Sequence, residues 1–96
     1  MGTPPDLCTD LTMLRAEIDE IDNNLLELLN KRADLARRIG RIKKQNQPPE
    51  VIYCPGREND ILVRLQALNQ AKGGLLPPSH LDSIWLAIFA SAKALQ

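Results

Sequence analysis

Between residues 10 and 46 the large apolar side chains return at Leu14, Ile18, Ile21, Leu25, Leu28, Leu35, Ile39 and Ile42. The steps alternate between four and three, the spacing of a helix whose apolar seam packs lengthwise against other helices. The stretch holds no proline and one glycine, Gly40. One seam position, midway between Leu28 and Leu35, is filled instead by Arg32. A cation set into an apolar seam costs stability unless something pairs with it.

The flanks of this helix are also marked. Residues 1–9 carry Gly2, Pro4 and Pro5 and read as a disordered tail ahead of a helical domain over residues 10–96. Thr9, Asp10 and Thr12 are candidate N-caps. Acidic residues (Glu17, Asp19, Glu20, Asp22) lead and basic ones (Lys31, Arg32, Arg37, Arg38, Arg41, Lys43, Lys44) follow, the order that suits the helix dipole. Glu27–Lys31 and Asp34–Arg38 have i,i+4 spacing.

Gln47-Pro48-Pro49 ends the helix, because a residue before proline avoids helical angles. Residues 47–54 read as a loop. Pro55 suits the first position of a second helix, with Ile61, Leu62, Leu65 and Leu68 on one face and a stop at Gly73-Gly74. Beyond Pro77-Pro78, Ser79 and Asp82 have capping-box spacing for a third helix. Its expected apolar face is Leu81, Ile84, Trp85, Ile88, Ala92 and Leu95. No segment alternates like a strand and no repeat is present. The expected fold is all-α, with three helices, one of them very long.

Length then implies a partner. A helix of about 37 residues spans about 55 Å at 1.5 Å per residue. A compact domain of this size is only about 32 Å across. Two short helices cannot cover such a seam, so a second copy in a two-fold homodimer is expected to bury it.

Composition narrows the function. Twelve basic and twelve acidic residues give zero formal charge, which removes any general attraction to nucleic acid or anionic membranes. The basic run at residues 37–44 also lacks the interleaved aromatics of a nucleic-acid surface. No apolar run approaches the roughly 20 residues of a membrane span, and the N-terminus lacks the basic start and apolar stretch of a secretory signal. Cys8, Cys54 and His80 make a poor metal set, and free thiols in a cytoplasmic protein are expected over a disulfide.

Arg32 and Lys43, eleven residues apart, lie on one helix face about 16 Å apart along the axis. Leaning together, their long side chains suit a small dianion. Arg15 lies about 25 Å from Arg32 and about 42 Å from Lys43 along the same helix, so it joins them only from a partner chain. Arg57 and Glu58 open the second helix. Taken singly, each of these residues also fits an ordinary solvated surface position: arginine snorkels, and a first-turn glutamate is favoured by the dipole.

The run Leu14-Arg15, Ile18-Asp19, Ile21-Asp22, Leu28-Leu29, Lys31-Arg32 and Lys43, followed by Tyr53-Cys54-Pro55-Gly56-Arg57-Glu58, resembles the all-helical chorismate mutases. The similarity covers about residues 11–96 and looks closest to the mutase domain of bifunctional chorismate mutase–prephenate dehydratases. It implies an intertwined helical homodimer that rearranges chorismate to prephenate in aromatic amino acid biosynthesis, without cofactor or metal. It also implies that Arg15 of the opposite chain, Arg32 and Arg57 hold the substrate carboxylates, that Lys43 and Gln96 donate hydrogen bonds to the ether oxygen, and that Glu58 accepts from the ring hydroxyl. Cys54 and Gly56 replace residues that are commonly Arg and Glu in the nearest relatives, and Ala92 stands where some members carry Ser or Cys. Gln96, the last residue given, sits where helix ends fray. Two other readings stay open: an isochorismate pyruvate-lyase on the same fold, and a helical dimerisation module with no active site.

Overall fold

The computed structural model describes residues 5–45 and 56–95, with side chains from Thr9 onward. These residues form three α-helices and, among them, no strand: α1 (Pro5–Gln45), α2 (Arg57–Ala71) and α3 (Pro78–Leu95). The all-α expectation holds. α1 begins at Pro5 rather than near Asp10, so the candidate caps Thr9, Asp10 and Thr12 lie inside it. The rest of the expected tail, residues 1–4, lies outside the described residues. No helix among the described residues is long and apolar enough to cross a membrane.

The chain divides into two compact units, Met1–Arg32 and Ala33–Gln96. In the first, every described side chain up to Lys31 is exposed. Leu14, Ile18, Ile21, Leu25 and Leu28 each leave between 51% and 59% of their surface open. An open apolar stripe of this kind is the surface type on which binding contacts form.

The second unit holds the core: Ala36, Ile61, Leu81 and Phe89 are buried, ringed by half-buried Leu62, Leu65, Trp85, Ile88 and Ala92. Burying side chains the size of Ile61, Leu81 and Phe89 stabilises by about 1.5–3 kcal/mol each. The end of α1 buries Ala36 and Gly40, small residues one turn apart, while its seam residues Leu35, Ile39 and Ile42 stay about half open. The α3 face differs from the expected one. Phe89, absent from that expectation, is its most buried residue, whereas Ile84 and Leu95 are exposed.

α2 and α3 pack together. The turn between them starts with a Schellman cap: the Gly74 N–H donates to the Asn69 carbonyl (2.8 Å) and the Gly73 N–H to that of Gln70 (3.1 Å). Gly73 takes φ 66°, a left-handed conformation that glycine adopts without Cβ strain. α3 begins one residue before the expected cap. The Pro77 carbonyl accepts from the N–H groups of His80 and Leu81, both at 3.0 Å, and Pro78 occupies the first helical position that proline favours. Ser79 is therefore already helical, and its carbonyl accepts from the Ser83 hydroxyl. Asp82 is drawn into a cross-helix bond instead of a capping box: the Gln66 amide donates both to its carboxylate (2.8 Å) and to the Pro78 carbonyl (2.7 Å). One turn on, the Asn69 amide donates to the Leu76 carbonyl at 3.1 Å.

Candidate active site

Arg15 and Arg32 belong to the first unit. Arg15 is exposed, while Arg32 is half-buried and engaged with other groups. Lys43, Arg57 and Glu58 belong to the second. Lys43 lies in the last turn of α1 and is exposed. Gln96 and the stretch Tyr53-Cys54-Pro55 lie outside the described residues.

Arg57 and Glu58 are the first two residues of α2, and what presents them is Gly56. That residue caps the helix at φ 84° and ψ −1° without a side-chain bond, and its carbonyl accepts from the Asp60 N–H at 2.8 Å. Any residue with a Cβ is disfavoured at that φ. Gly56, a departure from the pattern of the nearest relatives, is the residue type that this entry into α2 favours.

Glu58 is held from the opposite helix. Lys93 Nζ lies 3.0 Å from Glu58 Oε2 and 3.4 Å from Oε1, joining the first turn of α2 to the last turn of α3. The Lys93 side chain keeps 67% of its surface open and that of Glu58 42%, so the pair is wet and individually weak. Its interest is positional. α3 carries only two charged residues, Asp82 and Lys93, and each meets a polar side chain of α2. Sequence spacing by itself does not mark Lys93. The signal available was the Gly73-Gly74 turn: folding α2 back on α3 as a hairpin places the residues near 93 opposite residue 58.

The basic run at the end of α1 is partly self-neutralised. Asp34 bridges Arg37 Nη2 (2.7 Å) and Arg38 Nη2 (2.9 Å), which includes the expected Asp34–Arg38 pair. The hydrogen bond from Arg37 is the main reason the Asp34 carboxyl titrates below the usual 3.8; desolvation opposes it, and the charges of Arg38, Arg37 and Arg41 add to the lowering. Among the described residues, no group of three or more His, Cys, Asp or Glu is placed to hold a metal ion.

The sequence that carries these residues is matched by a family model. Residues 14–96 match that of type II chorismate mutases. The chain belongs to that family. It is 41% identical over 88 residues to a bifunctional chorismate mutase/prephenate dehydratase of Aquifex aeolicus, covering 91% of this chain and 24% of that protein. It is 36% identical over 76 residues to a 4-amino-4-deoxychorismate mutase of Streptomyces venezuelae, covering 79% of this chain and 70% of that one. A chorismate mutase of Methanocaldococcus jannaschii is 41% identical over 58 residues, or 60% of this chain and 57% of its own length. The chain thus spans about a quarter of the Aquifex mutase/dehydratase. No solved structure matches the chain significantly.

Proposed function

We propose that this chain is a chorismate mutase that converts chorismate to prephenate in aromatic amino acid biosynthesis. The observation that carries the reading is the family match over residues 14–96, a stretch that includes Arg15, Arg32, Lys43, Arg57, Glu58 and Gln96. The reaction is an intramolecular pericyclic shift that moves no proton. Catalysis therefore consists of holding a flexible dianion in the compact shape in which the new C–C bond forms, and of stabilising the charge that gathers on the departing ether oxygen.

Each residue type suits one of these tasks. The planar forks of Arg15, Arg32 and Arg57 match carboxylates bidentately. Lys43 and Gln96 are N–H donors for the ether oxygen, whose charge peaks in the transition state, so their bonds favour that state over the substrate. Glu58 accepts from the ring hydroxyl. The site needs no cofactor or metal for this chemistry.

The active form is an intertwined homodimer with Arg15 contributed by the partner chain. The open stripe of Leu14, Ile18, Ile21, Leu25 and Leu28 supports this: each such side chain gains about 1.5–3 kcal/mol on burial. A cytoplasmic location fits a biosynthetic enzyme of this kind, and the chain also suits the mutase part of a longer bifunctional protein.

The deciding experiment incubates the protein separately with chorismate and isochorismate. Prephenate from the first is the expected product. Salicylate and pyruvate from the second would replace this reading with a lyase, and no turnover of either would leave a dimerisation module.

A further inference from the structure

The Glu58–Lys93 contact acquires a chemical meaning at a site where Glu58 meets the ring substituent, and the inference here rests on that part of the proposed function. A carboxylate facing a ligand alone is a general anion. It binds a neutral hydroxyl through one hydrogen bond, and it binds an ammonium more strongly, through a charge-assisted bond. Left to itself, Glu58 thus favours a ring bearing an amine in place of the hydroxyl. In this chain it is not left to itself. Lys93 Nζ stands 3.0 Å from Oε2 and 3.4 Å from Oε1.

We propose that Lys93 is a positioning and specificity-determining residue: by pairing with Glu58 it keeps that carboxylate an acceptor for a neutral ring hydroxyl and turns away a ring carrying an ammonium at the same position. A carboxylate offers about four lone-pair sites, so the two that face Lys93, one on each oxygen, leave room for a hydroxyl proton. The Glu58–Lys93 pair has no net charge to attract a second cation, and the Lys93 ammonium repels it directly. The same contact ties Glu58, on α2, to α3, which restricts the rotamers from which the carboxylate reaches the ligand.

Lys93 acts through Glu58 and has no assigned contact with the reacting atoms. Its side chain is largely open, so its replacement creates no cavity. No other basic residue of α3 lies near Lys93: His80 is in the first turn of the helix, and Asp82 is bonded to Gln66.

The test compares wild type with Lys93→Met, Lys93→Gln and Lys93→Arg. Two quantities are measured: kcat and KM for chorismate, and the inhibition constant of the ring-amine analogue of chorismate as a competitor. The methionine and glutamine variants are expected to bind the amine analogue about fivefold more tightly relative to the KM for chorismate, in line with a wet ion pair. The arginine variant should restore the wild-type ratio. The gap should narrow in high salt, since exposed charges are screened within about 10 Å at 0.1 M. A ratio unmoved in both neutral variants, while all proteins turn over chorismate and keep their helical content, overturns the role of Lys93 and leaves the mutase reading standing. A wild type inert on chorismate removes the mutase reading and this inference together. Neutral variants that lose chorismate activity without any gain in amine affinity also overturn the inference, by making Lys93 merely structural.

Discussion

At the scale of single residues, charge placement decides what each group does. Lys43 sits in the last turn of α1, and the proposed function makes it the donor to the breaking ether bond, a contact that counts mainly in the transition state. Lys43→Ala should lower kcat about 10²–10³-fold, the usual effect of losing one such donor, with the oligomeric state unchanged by sedimentation. Activity within a few-fold of wild type would remove Lys43 from that role. Asp34 gives a pH prediction. Its carboxyl titrates below the usual 3.8, so the stability it lends is complete above that value and is lost as pH falls through the lowered one. The melting-temperature gap between wild type and Asp34→Asn should be small, present at neutral pH, and should close as pH falls below 3.8 and through the lowered pKa. A gap of constant size across that range would show that the Arg37 and Arg38 contacts do not matter. Residues of this kind were legible when their partners lay within one helical turn, as Asp34 and Arg38 do. Lys93 was not, because its partner lies 35 positions away and becomes a neighbour only once α2 and α3 fold together.

At the scale of elements, the ends of the helices carry the information. Gly73-Gly74 could be read directly, since glycine is the residue that ends a helix in a left-handed turn. The start of α3 could not. Ser79 and Asp82 had the right spacing for a capping box, but Gln66 on α2 claims Asp82, and Pro77 supplies the carbonyl that starts the helix. A tertiary contact thus overrode a local pattern. The same logic explains Phe89. A 3.6-residue period admits several adjacent stripes, and packing within the second unit selected the one that includes it. Gly74 offers a test of the turn. A Cβ there collides with the Asn69 side-chain amide, so Gly74→Ala should displace that amide from the Leu76 carbonyl. The cost is about 1 kcal/mol, or about 4–8 °C in Tm for a domain of this size. In an Asn69→Ala background the same substitution should cost less, which a double-mutant cycle reads directly.

At the scale of the whole molecule, the apolar period of α1 was plain in the sequence, and its length led to the expectation of a second copy as its cover; within one chain Leu14, Ile18, Ile21, Leu25 and Leu28 stay open. Hydrophobic spacing says that a face is buried and leaves open by what. Mixing two inactive variants addresses this. If Arg15 serves the site of the opposite chain, Arg15→Ala and Lys43→Ala proteins should complement one another after subunit exchange. Half of the randomly formed dimers are hybrids with one intact site out of two, so about a quarter of wild-type activity should return. No recovery, with exchange verified by a mass label, would place Arg15 outside a shared site. The six residues between α2 and α3 have a different consequence, one for inheritance. Surface turns are usually where chains gain and lose residues. This turn is pinned at both ends, by Gly73-Gly74 and by Pro77, and Asn69 also holds Leu76. One residue inserted within α3 between Pro78 and Asp82 turns the rest of that helix by about 100° and separates Lys93 from Glu58 and Asp82 from Gln66 in a single step. Leu75, at 98% exposure, lies between the pinned ends. Insertions and deletions across α2 and α3 are therefore best tolerated beside Leu75, and a peptide tag placed there should leave both helices in phase.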